Sequence, residues 1–86
     1  MQVQIGRVTH YFSRLGVAGV RIESDVLKVG DTIHIEGHTT DVTQVVGSMQ
    51  VEHAPVREAR PGDEIGLQVV DHVREHDLVF KVLPEE

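Results

Sequence analysis

The chain contains no cysteine. That absence excludes a disulfide framework, a thiolate metal site and a cysteine nucleophile together. A small domain without disulfides suits a reducing compartment, and we expect a cytoplasmic location. Aromatic residues are scarce, one tyrosine and two phenylalanines in all. No apolar run approaches the ~20 residues needed to span a bilayer, and the first residues lack a signal-peptide pattern, so we expect no membrane association. No glycine is followed by lysine, so the Gly-x-x-x-x-Gly-Lys-Ser/Thr phosphate loop is missing and no nucleotide is expected. Ser13, Ser24 and Ser48 have no Gly-x-Ser-x-Gly elbow. Asp63 and Glu64, adjacent on a strand, point to opposite faces and cannot share one substrate. We expect no catalytic residues, no cofactor and no metal.

What is present fits one small folded domain over residues 1–86, 40% hydrophobic and 26% charged. The net charge is -6, unevenly placed. Residues 1–22 hold Arg7, Arg14 and Arg21 and no acid, whereas all 14 acids follow. Overall acidity argues against non-specific coating of nucleic acid. The local basic stretch, with Tyr11 and Phe12 inside it, keeps a polyanion contact open.

Most segments alternate with period two. Ile33 and Ile35 alternate with Thr32, His34 and Glu36; Ile65, Leu67 and Val69 with Gly66 and Gln68; Leu78, Phe80 and Val82 with Val79 and Lys81. In the stretch 42–53 Val45, Gly47, Met49 and Val51 share one parity. Such alternation marks half-buried strands. Turn signals at 14–16, 29–31, 37–41, 61–63 and 74–77 separate six strands, at about 3–12, 16–22, 32–37, 42–53, 63–70 and 78–83. Gly6 and Gly47 are bend points in the two long strands, and the parity slip between Ile5 and Val8 predicts a bulge near Gly6. The best helix candidate, residues 56–59, is bracketed by Pro55 and Pro61. Gly30 and Gly62 each precede an acid at a strand start, where a turn calls for positive φ. Of the two adjacent aromatics we take Phe12 as inward. Residues 83–86 read as a solvated terminus. Antiparallel strands without covering helices stack or close, and the single buried-face pattern favours an all-β, closed, six-stranded antiparallel barrel of Greek-key type.

Two segments carry a resemblance. Arg21-Ile22-Glu23 running through Lys28-Val29-Gly30-Asp31 into Ile33, and Ala59-Arg60-Pro61-Gly62-Asp63-Glu64-Ile65-Gly66, resemble the β-barrel second domain of translational GTPases such as elongation factor Tu. Val45 to Gln50 and Val73 to Val79 are similar to its middle strand and closing turn. Ser24-Asp25 stands where that family has Arg-Gly, and His76 where glycine is common. Residues 6–12 and 37–44, with 48–53, look like the barrel at the C-terminus of collagenase-like peptidase-family proteins and like small stand-alone translation-factor-like proteins. The resemblance implies a barrel working near RNA, or docking to such an enzyme, without catalytic residues of its own.

Arg7, His10, Tyr11, Arg14 and Arg21 are therefore the candidate nucleic-acid contacts: arginine for phosphate, Tyr11 for base stacking. The plainer reading has solvated arginines flanking a strand. The partners expected are tRNA or ribosomal RNA; the rival is a collagenase-like peptidase-family protein, docked on an apolar strip such as Val42, Val46 or Val70. His72 and His76 beside Asp71, Glu75 and Asp77 form the better metal candidate, ahead of His34 and His38, yet a solvated surface turn accounts for them. Residues 37–41 suit a hairpin turn capped by Thr and Asp side chains.

Overall fold

The computed structural model describes residues 1–84, and within them every regular element is a strand. The strands are β1 (Gln2–Phe12), β2 (Val17–Ile22), β3 (Leu27–Lys28), β4 (Thr32–Glu36), β5 (Asp41–Val45), β6 (Met49–Val51), β7 (Ala54–Val56), β8 (Glu58–Ala59), β9 (Glu64–Gln68) and β10 (Leu78–Val82). Eight of them pair antiparallel in the order β5-β4-β10-β1-β2-β9-β6-β7, and β3 pairs with β8 as a separate ribbon. The sheet wraps one core in which Ile5, Ile22, Leu27, Ile33, Ile35 and Leu67 are fully buried.

The long first strand survives as expected, with two register shifts, between Gln4 and Gly6 and between Val8 and His10. Gly6 is required at the first, because a Cβ there would collide with the Arg21 carbonyl of β2. The second shift resets the alternation, and it reverses our assignment of the aromatics. Tyr11, not Phe12, turns toward the core and packs against it, while Phe12 is 46% exposed.

The expected strand 42–53 is broken into β5 and β6 at residues 46–48. The parity read from sequence is wrong at that break: Val46 is buried and Val45 is 59% exposed. Val46 donates its N–H to the Asp31 carbonyl and its C=O accepts the Gly30 N–H, which holds it with its side chain inward. Val42 and Val46 are thus core residues and form no exposed strip, whereas Val70 is 76% exposed. The helix candidate at 56–59 is extended: Ala59 pairs with Leu27, and the Arg57 carbonyl accepts the Val29 N–H. Residues 37–40 do close a β4–β5 hairpin, but with backbone bonds between Gly37 and Thr40; the Asp41 carboxylate turns instead to His34 Nε2 at 2.6 Å. At the end of the chain Leu83 is tied to the Met1 carbonyl by its N–H, so the solvated stretch begins at Pro84. Glu85 and Glu86, the rest of that expected terminus, lie outside the described residues.

One joint recurs three times. It is built by Lys28-Val29-Gly30-Asp31, Arg60-Pro61-Gly62-Asp63 and Arg74-Glu75-His76-Asp77. In each, the Asp N–H returns to the carbonyl of the basic residue, and the Asp carboxylate accepts that residue's N–H at 2.8 or 2.9 Å. The third residue has φ of 98°, 96° or 74°, the geometry of a type II turn. Each turn then clasps a buried residue elsewhere in the chain, Val46 just past β5, Ile22 of β2 or Val8 of β1, through the same two backbone bonds. The first of these clasps ties the end of β5 to the segment after β3. On the far side, the Gln44 amide spans from β5 to the Gln68 carbonyl and the Val70 N–H, at 2.9 and 2.8 Å. These bonds draw the outer strand β5 back onto the barrel.

Candidate functional site

The five sequence-selected residues do not form one patch. Arg7 and Arg21 are cross-strand partners on β1 and β2, both exposed. Arg7 pairs with Glu23 at 3.2 Å and Arg21 with Glu64 at 3.8 Å. Arg14 sits in the β1–β2 turn, at the other end of the hairpin and on the order of 20 Å along the strands from Arg7 at ~3.3 Å per residue. His10 contacts Glu75 at 3.3 Å and stacks edge-on with Phe12, ring centres 4.4 Å apart. Tyr11 faces the opposite side of β1 and meets His72 at 4.7 Å. Of the three arginines, Arg14 alone has no acidic partner among the described residues. The glutamates come from β9 and from beyond β2, which charge counting over residues 1–22 could not bring into view.

The register instead builds a trough that the sequence reading missed. His10, Gly19, Gly66 and Gln50 lie in one row across β1, β2, β9 and β6, on the outer face. The two central glycines leave the row without side chains. The neighbouring row toward the hairpin tip is Phe12, Val17 and Gln68; the row on the other side is Arg7, Arg21 and Glu64. Leu15 extends the apolar side, and Glu52 and His53, in the β6–β7 turn, extend the polar side. The trough has a volume of about 550 Å³. Glycines at alternate-face positions on adjacent strands were its only sequence signal, unreadable before the pairing of β2 with β9 was known.

A second hollow of about 730 Å³ opens between β3 and β6–β8, with Lys28 and Arg57 at its rim and Met49 and Val56 beneath. Elsewhere, His34 is bracketed by Gln2 Oε1 at 3.0 Å and Asp41 at 2.6 Å, which cross-links three strands. Among the described residues no three His, Asp or Glu side chains converge as a metal cage, and no helix is long and apolar enough to cross a membrane.

Comparison with known proteins fits this geometry. An uncharacterized protease of Methanocaldococcus jannaschii is 41% identical over 80 residues, covering 92% of this chain but 19% of that protein. A collagenase of Porphyromonas gingivalis is 40% identical over 81 residues, covering 93% of this chain and 20% of the other. The chain therefore spans about a fifth of these relatives. The C-terminal domain of a Geobacillus thermoleovorans U32 peptidase superposes with a TM-score of 0.85 at 22% identity, over 92% of this chain and 91% of that one, which shows a shared fold. The model of elongation factor Tu domain 2 matches residues 16–75, a span holding the Asp31 and Asp63 turns and both glycines of the trough, and the chain belongs to that family.

Proposed function

We propose that this barrel is a non-catalytic module that docks to a protein through the tip of the β1–β2 hairpin. One observation carries the reading. Phe12, Leu15 and Val70 are 46%, 69% and 76% exposed, and they gather where the Val69 N–H bonds to Gly16. A β-domain has no folding reason to leave three large apolar side chains together in water, and clustered exposure of this kind marks interaction surfaces. The partner we infer is a collagenase-like peptidase-family protein, because relatives named as a protease and as a collagenase carry a segment like this chain within a chain about five times as long. An RNA contact, the reading the residues first suggested, is weakened by Glu23 and Glu64 beside Arg7 and Arg21.

The test uses the Methanocaldococcus relative produced without the segment that matches this chain. Light scattering should show a 1:1 complex with this chain that persists at high salt and is lost with Phe12→Ser plus Leu15→Ser. No complex, together with salt-sensitive binding to tRNA at low ionic strength, would overturn the reading in favour of RNA.

A further inference from the structure

We propose that the glycine-floored trough is a docking groove for an extended segment of a partner protein in which apolar and basic residues alternate. The inference rests on the reading of the barrel as a protein-docking module and adds the chemistry of what it takes.

The floor comes first. Gly19 and Gly66 are direct partners; Gly19 is buried, with the Thr9 hydroxyl 3.1 Å from where its Cβ would stand, so the bare backbone at the centre of the row is that of Gly66. A Cβ at Gly66 would make an ordinary contact at 3.5 Å with Val17, and its φ is not positive; neither sterics nor backbone geometry requires glycine there. Glycine without a folding reason in a strand marks close approach by something else. From His10 to Gln50 the row crosses three strand spacings of ~4.8 Å, room for about four extended residues.

The walls set the pattern. One is apolar, from Phe12, Leu15 and Val17; the other is acidic, from Glu52 and Glu64. Arg7 and Arg21 share the row of Glu64 but stand outside the lining of the trough, which also includes the imidazoles of His10 and His53. Arg21 reaches Glu64 only at 3.8 Å, with both side chains exposed, and Glu52 has no ion-pair partner among the described residues. Successive side chains of an extended segment point to opposite sides. A chain lying in the trough therefore offers one set to the apolar wall and the other to the glutamates, so alternating apolar and cationic residues satisfy both.

The acidic wall is also held at a cost. Glu52 and His53 have φ of 50° and 66°, two successive non-glycine residues in the left-handed region of a two-residue hairpin turn. Asn-Gly fills such turns with less strain. Strained backbone kept at a groove edge is a mark of sites that hold ligands.

The probe is a fluorescein-labelled peptide, Ser-Leu-Lys-Val-Lys-Ser, read by anisotropy. Two control peptides replace both lysines by glutamate, or Leu and Val by serine. Both controls should bind at least tenfold more weakly. Glu52→Lys and Gly66→Val should each weaken the first peptide at least tenfold, with far-UV circular dichroism unchanged. Should Gly66→Val fail to fold, Glu52→Lys, on an exposed turn, still decides the matter. Equal binding of all three peptides, or no effect of Glu52→Lys, overturns the proposal. So does a single-stranded RNA oligonucleotide that binds in place of the peptide and is displaced by Gly66→Val. A barrel that complexes the truncated relative but ignores the peptide refutes the trough alone; one that binds the peptide but not the relative refutes the choice of partner alone.

Discussion

At the residue scale the three aspartates Asp31, Asp63 and Asp77 each close a turn by accepting a backbone N–H. Asp77 is the most enclosed, 6% exposed and packed where a Cβ on Gly37 would collide with it. A hydrogen bond to a charged acceptor is worth about 1.5–3 kcal/mol, and the one from the Arg74 N–H to Asp77 is partly buried. Asp77→Ala should lower the urea unfolding free energy by that amount, and Asp77→Asn, which keeps an acceptor oxygen, by clearly less. The third turn also carries a conflict that the other two lack. His76 holds φ 74° where Gly30 and Gly62 supply 98° and 96° without a Cβ. His76→Gly should stabilise by about 0.5–1 kcal/mol, the relief of left-handed strain less glycine's extra chain entropy. His76→Val, β-branched in the same conformation, should destabilise. The positive φ at both glycines was legible from Gly-Asp at a strand start. The Asp side-chain bonds were not, because they depend on the turn already being formed.

At the element scale the weak point of the barrel is β5. It pairs with β4 on one side and has no strand ladder on the other. Gln44 substitutes for that ladder with a donor and an acceptor on one side chain. Gln44→Ala removes two hydrogen bonds, about 1–3 kcal/mol. Hydrogen exchange should show loss of protection at the Val70 amide while amides of β1 and β2 keep theirs. The end of β5 also shows where pattern reading failed. Val45, Met49 and Val51 fitted one alternation, but Gly47 breaks the strand and the Asp31 turn takes the pairing groups of Val46. A period of two describes a strand only while its ladder continues; a partner from a distant turn resets it.

At the scale of the whole molecule, charge and apolar surface point in different directions. The net charge is -6, and the glutamates beside Arg7 and Arg21 leave Arg14 as the arginine of the first 22 residues without an acidic partner among the described residues. A protein contacting many phosphates shows a steep salt slope. Anisotropy with tRNA should give no such slope here, and Arg14→Glu with Arg21→Glu should change it little. The hairpin-tip changes Phe12→Ser and Leu15→Ser remove exposed side chains and should shift stability by less than about 0.5 kcal/mol each. Denaturation and light scattering then separate a docking defect from a folding defect.

The amino-acid sequence by itself determined the all-β class, the positions of five of the six expected strands, the bend at Gly6, and the turns at Gly30 and Gly62. These follow from local rules: alternation, the sterics of glycine, and the scarcity of helical period. Only the tertiary structure decided which of Tyr11 and Phe12 is buried, that Val42 and Val46 belong to the core, that two arginines are paired with glutamates, and that Gly19 lies beside Gly66. Each of those depends on the register between segments distant in the chain, and a shift of one residue would send every side chain of a strand to the other face.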